Sequence, residues 1–141
     1  MDLIDNIESI KKNIIEYFKR EKEILFAYIF GSLVKKTANK LSDIDIAIYI
    51  DERSADNRNF RYGYQAEVLT DLIKILGTKK VDLVILNSAP PLLRHRVIYH
   101  GEIIYSADER ERIRFQLDTI NKYMDYKMLQ KKTLSKQKVV A

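Results

Sequence analysis

The chain has 141 residues, enough for one domain with a real core and too few for two ordinary ones. With 46% hydrophobic and 32% charged residues, and only 4 Gly and 2 Pro, it reads as neither disordered nor fibrous; the lack of cysteine excludes disulfides, thiolate nucleophiles and Cys-based zinc sites, and fits a reducing compartment. The net charge of +5 is accounted for by the closing stretch KMLQKKTLSKQKVVA, whose five lysines stand without an acid.

The opening MDLIDNIESI carries acids where a signal peptide needs basic residues and then an apolar run, and no stretch approaches the roughly 20 apolar residues of a membrane span. A soluble, cytoplasmic chain without membrane contact is expected. Residues 2–20 read as an amphipathic helix, with Ile4, Ile7, Ile10, Ile14 and Phe18 at three- and four-residue steps and Asp2 or Asp5 as cap. ILFAYIF, residues 24–30, is short, apolar and ends at Gly31, as a buried strand does. Residues 32–38 are expected to form a short helix or turn, 44–50 a second strand, and DERSADN a polar loop. Over 58–76 a helix places Phe60, Tyr64, Val68, Leu72 and Leu76 on one face, with Gly77 as its C-terminal cap. VDLVIL, residues 81–86, is a third strand. Pro90-Pro91 opens a short helix to about Tyr99, Gly101 ends it, and EIIYS is a short edge strand. The last helix, 108–131, is capped by Asp108 or Ser106 and turns Ile113, Leu117, Ile120, Tyr123 or Met124, and Met128 inward, although its apolar groups lie on more than one face. The result is a single-domain α/β (α+β) fold over 1–131, a three- to four-stranded mixed sheet flanked by helices, followed by a basic flexible tail over 132–141.

Three features fall at strand ends. Gly31-Ser32 closes the first strand, Ser42-Asp43-Ile44-Asp45 opens the second, and Asp82 lies in the third. The chain has 11 Asp, so one Asp-x-Asp pair is expected by chance about once. Context gives the pair its weight. Side chains at i and i+2 of a strand share a face, so Asp43 and Asp45 point together while Ile44, Ile46, Ile48 and Ile50 point into a core. Adjacent carboxylates repel unless a cation lies between them. An all-oxygen ligand set favours Mg²⁺ or Mn²⁺ over zinc. Asp82 is the one acid of an apolar run: if buried, its carboxylate must be paired or metal-bound, the alternative being an edge-strand acid that faces solvent. If the third strand neighbours the second, the three carboxylates meet. Two metals held there would orient a nucleotide triphosphate for in-line displacement at its α-phosphorus. Gly31 allows close backbone approach, the amides after it can cradle phosphate oxygens, and Ser32 adds a hydroxyl. His95 and His100, five residues apart, do not share a helical face and read as structural or surface residues.

The string GSLVKKTANKLSDIDIAI resembles the signature of the DNA polymerase β-like nucleotidyltransferase superfamily: a Gly-Ser pair, then about ten residues on a strand opening with two carboxylates one residue apart, and a third carboxylate from a later strand. The chain's short length, with LLRHRVIYHGEIIYSAD over 92–108, is similar to the minimal nucleotidyltransferases and, within them, the MntA-type antitoxins. The resemblance implies ATP as donor, Mg²⁺ as cofactor and transfer of AMP to a hydroxyl, in the antitoxin group a tyrosine of a HEPN toxin, an all-helical ribonuclease. It implies that Asp43, Asp45 and Asp82 bind metal, that Asp82 also helps deprotonate the attacking hydroxyl, and that Gly31 and Ser32 hold the triphosphate. Many relatives carry a glycine a few residues after Gly-Ser; here Val34-Lys35-Lys36-Thr37 stands instead. No stable nucleic-acid binding is expected. Two alternatives stand beside this reading: an acceptor hydroxyl on a small molecule or RNA end, and a non-catalytic module that neutralises a toxin by contact.

Overall fold

The computed structural model describes residues 7–31, 43–56 and 61–140. The elements run α1 (Ile7–Arg20), β1 (Ile24–Phe30), β2 (Ile44–Ile50), α2 (Glu52–Asp56), α3 (Arg61–Leu76), β3 (Val81–Ile85), a 3₁₀ turn (Leu86–Ser88), α4 (Pro91–His100), β4 (Glu102–Ser106) and α5 (Glu109–Val140). The sheet order is β3-β2-β1-β4. β1 is antiparallel to both β2 and β4, while β2 and β3 run parallel, as a strand–helix–strand crossover through α3 requires. The sheet is therefore mixed and four-stranded, with helices on both faces.

The alternation read in β2 sets the layers. Ile44, Ile46, Ile48 and Ile50 are all buried on one face, in a core with Ile14 and Phe18 of α1 and Tyr64, Val68 and Leu72 of α3. The opposite face carries a smaller core: Phe26, Tyr28 and Ala47 of the sheet, Leu86 of the turn, Val97 of α4 and Phe115 of α5. There Phe26 stacks on Tyr49 with centroids 4.8 Å apart, and Phe115 closes on both rings. Gly77, at φ +69°, ends α3 with its amide donating to the Ile73 carbonyl, the cap its sequence position indicates. Pro91 occupies the first turn of α4, and the Asp108 carboxylate accepts from the Glu111 amide at the start of α5.

Several expectations change. Glu52–Asp56, expected as loop, is a short helix whose first turn is held by Asp51, which accepts from the Arg53 amide and the Ser54 hydroxyl. Asp51 thus acts as a local N-terminal cap that composition alone did not single out. The last helix does not stop at 131. With no Gly or Pro to break it, α5 continues to Val140 through Lys and Gln, which favour helix. Its inward face is also different. Phe115 and Thr119 are buried and Tyr123 lies on His95, whereas Ile113, Leu117, Ile120, Met124 and Met128 face water. Apolar residues occupy two opposite sides of α5, and the bulkier aromatic side fits the gap over β1 and β2. The expected turn at 32–38 lies outside the described residues, as do Ile4 and Phe60 of the two helical stripes.

Candidate active site

Antiparallel pairing places Phe30 of β1 opposite Asp45 of β2, so Gly31 emerges beside that carboxylate. Gly31 has φ +79°, a left-handed conformation that favours glycine. A Cβ built on it would overlap Oδ2 of Asp45. Both the turn and the close approach therefore exclude a side chain here. On the other flank, parallel pairing sets Asp45 directly against Asp82 of β3, and the Ile44 amide donates to the Lys80 carbonyl to fix that register. Asp43 stands one residue before β2, exposed.

The structure thus brings Asp45 and Asp82 together and keeps Asp43 within electrostatic reach. Burial, then Asp82, then Asp43, pushes the Asp45 carboxyl from 3.8 up to about 6. An acid held in this way relaxes when a cation neutralises its neighbours. Oxygen-only donors beside a glycine backbone fit Mg²⁺ or Mn²⁺. As placed, no three His, Cys, Asp or Glu side chains among the described residues close around one point tightly enough to ligate an ion.

Asp82 departs from its expected environment. β3 is an edge strand, Leu83 and Ile85 are its buried positions, and Asp82 is exposed. Its position was therefore not dictated by the cost of a buried charge. What singles it out is its register with Asp45. Ser32, with Lys35 and Lys36, lies outside the described residues.

Two supports were not legible in the sequence. The Asn87 side-chain amide both accepts from the Ile50 amide (2.9 Å) and donates to the Ile50 carbonyl (2.8 Å), so the turn after β3 is tied to the end of β2. The Tyr28 hydroxyl accepts from Gln116 at 2.7 Å, which joins β1 to α5. Together they tie β2 to the turn after β3, and β1 to α5. His95 stacks on Tyr123 with centroids 3.5 Å apart, a packing role as expected. A cavity of about 880 Å³ lies at the far end of β2, between Tyr49, Asp51, Arg53, Arg94 and Phe115; none of the three aspartates lines it. Its walls mix acids with arginines, and the three aspartates stand at the opposite end of the strand.

Comparison with known proteins places this geometry. The family described as "Polymerase beta, Nucleotidyltransferase" matches residues 12–110. Among solved structures, the chain is similar to a toxin–antitoxin crystal structure with AMP-PNP, at 25% identity and a TM-score of 0.71, covering 93% of this chain and 98% of that one. It shares its fold with a chain of the toxin–antitoxin MntA-HepT (23% identity, TM-score 0.67, 95% and 99% covered). The same holds for a chain of a tri-AMPylated Shewanella oneidensis HEPN toxin in complex with MNT antitoxin (23% identity, TM-score 0.67, 95% and 98% covered). A search of curated proteins finds no match. Matched over most of its length, the chain belongs to the polymerase β nucleotidyltransferase family and is a nucleotidyltransferase.

Proposed function

We propose that the protein is an antitoxin that transfers AMP from ATP to a tyrosine hydroxyl of a HEPN ribonuclease toxin in the cytoplasm. The observation that carries the chemistry is the register of Asp45 against Asp82, with Gly31 packed on the Asp45 carboxylate. Support for the acceptor comes from the relatives: a toxin–antitoxin structure with AMP-PNP and a tri-AMPylated HEPN toxin with its MNT antitoxin share this fold.

Asp43, Asp45 and Asp82 would hold Mg²⁺, which when bound neutralises charge on the phosphate oxygens. Gly31 lets the backbone approach the triphosphate, and Ser32 donates a hydroxyl to it. The tyrosine oxygen attacks the α-phosphorus as the bond to the β-phosphate oxygen breaks and pyrophosphate leaves. Asp82, exposed at the sheet edge, is accessible to the incoming hydroxyl and takes its proton. Asp45, deeper and flanked on both sides, is suited to metal binding.

The test is incubation of the protein with ATP labelled at the α-phosphate, Mg²⁺ and its candidate HEPN partner. Label is expected on the toxin, at tyrosine. An unlabelled toxin, in a preparation that binds ATP, refutes the protein-modifying reading; pyrophosphate release with a small alcohol or RNA instead would assign a different acceptor.

A further inference from the structure

The corrected orientation of α5 leaves a stripe unexplained. Ile113, Leu117, Ile120, Met124 and Met128 recur at three- and four-residue steps on the side of α5 opposite Phe115 and Thr119, and each is exposed, Leu117 by 59% and Met124 by 57%. A single exposed apolar residue is ordinary; a row of five along one helix face marks a contact surface. From Lys127 to Leu134 every residue is exposed. The part of α5 beyond Tyr126 is about 20 Å long at 1.5 Å per residue. A helical segment of that length is marginal on its own in water, and a partner packed on it would stabilise it.

Charge identifies the partner's chemistry. Beyond Asp125 the chain has no acid, and Lys127, Lys131 and Lys132 are exposed, followed in sequence by Lys136 and Lys138. A parallel second copy would set these lysines against one another. An antiparallel copy would set them against the first half of α5, whose acids are already engaged: Glu109 with Arg112, Glu111 with Arg114 and Asp118 with Lys122. Neither arrangement is complementary.

We propose that the outer stripe of α5 is the seat of the HEPN toxin: an apolar helix face of the toxin packs on Ile113, Leu117, Ile120, Met124 and Met128, and acids at its rim pair with the α5 lysines. This rests on the antitoxin reading above. Docking there is separate from the carboxylate site, so binding and modification can be dissociated by mutation.

The experiment is a binding titration of the full chain with its candidate HEPN partner, by calorimetry or surface immobilisation. The double variant Leu117→Glu, Met124→Glu alters only exposed positions, and its circular dichroism and AMP-PNP binding should match wild type. Toxin affinity is expected to fall about a hundredfold or more, as when hot-spot contacts are lost. The triple variant Lys127→Glu, Lys131→Glu, Lys132→Glu should slow association and flatten its salt dependence. If wild type binds toxin and the double variant binds equally well, the docking surface is wrong and the antitoxin reading stands. If wild type alone is a dimer that the double variant dissolves, the stripe belongs to a second copy and the inference is overturned. If wild type does not bind the toxin at all, the antitoxin reading falls and takes this inference with it.

Discussion

Replacing Asp45 with Asn should stabilise the metal-free protein at neutral pH while removing its chemistry. The Asp45 carboxyl is pushed from 3.8 up to about 6 by burial and then by Asp82 and Asp43. The folded state therefore binds this proton more tightly than the unfolded chain does. Stability from Asp45 is full below about 3.8 and is lost as pH rises through about 6. At about 1.36 kcal/mol per unit, the ceiling is about 3 kcal/mol. The side chain is part-exposed, so solvent screening lowers this to about 1–2 kcal/mol. Asn keeps the shape and removes the charge. In a domain of this size the gain corresponds to roughly 3–8 °C in Tm. Thermal melts in chelator at pH 3 and pH 8 read it: the two proteins should melt together at the lower pH, below the unfolded-state value of 3.8, and separate at the higher. Mg²⁺ should then raise the wild-type Tm and leave the variant nearly unchanged. A variant that melts at or below wild type at pH 8 in chelator would show that the three carboxylates impose no electrostatic strain, and the cation-site reasoning would fail.

Other substitutions test the scaffold. Gly31→Ala places a Cβ on the Asp45 carboxylate at a positive φ, so it should cost about 1–3 kcal/mol in denaturant melts and abolish nucleotidyl transfer. Asn87→Ala leaves both Ile50 backbone groups without their partner and should cost about 1–3 kcal/mol by the same measurement. Leu72→Ala, at a fully buried position, should cost about 2–5 kcal/mol, whereas Leu117→Ala on the outer stripe should stay within about 0.5 kcal/mol of wild type. Equal costs for those two leucines would restore the inward orientation that periodicity alone indicates for Leu117.

The readings that held and those that did not differ in physical kind. The β2 alternation was legible because a strand has two faces and only the Ile44 face is uniformly apolar. The α3 stripe through Tyr64, Val68 and Leu72 was legible for the same reason. In α5 the rule had no purchase: apolar residues recur on both sides, and which side packs is decided by the gap over the sheet that Phe115 fills. The environment of Asp82 depended on strand order, which no local pattern encodes. Its partnership with Asp45 depended on register, which the motif spacing anticipates only if β3 lies beside β2. The contact of Gly31 with Asp45 follows from antiparallel pairing, a steric reason for the glycine that the Gly-Ser spacing does not contain.

The most direct test of the central claim is the intact mass of the HEPN toxin after incubation with ATP, Mg²⁺ and either wild-type protein or the Asp43→Asn, Asp45→Asn double variant. Wild type should add one or more AMP units to the toxin at tyrosine, and the double variant none while still binding it. A toxin modified equally by both proteins, or left unmodified yet silenced by both, would contradict an active site built on Gly31, Asp43, Asp45 and Asp82.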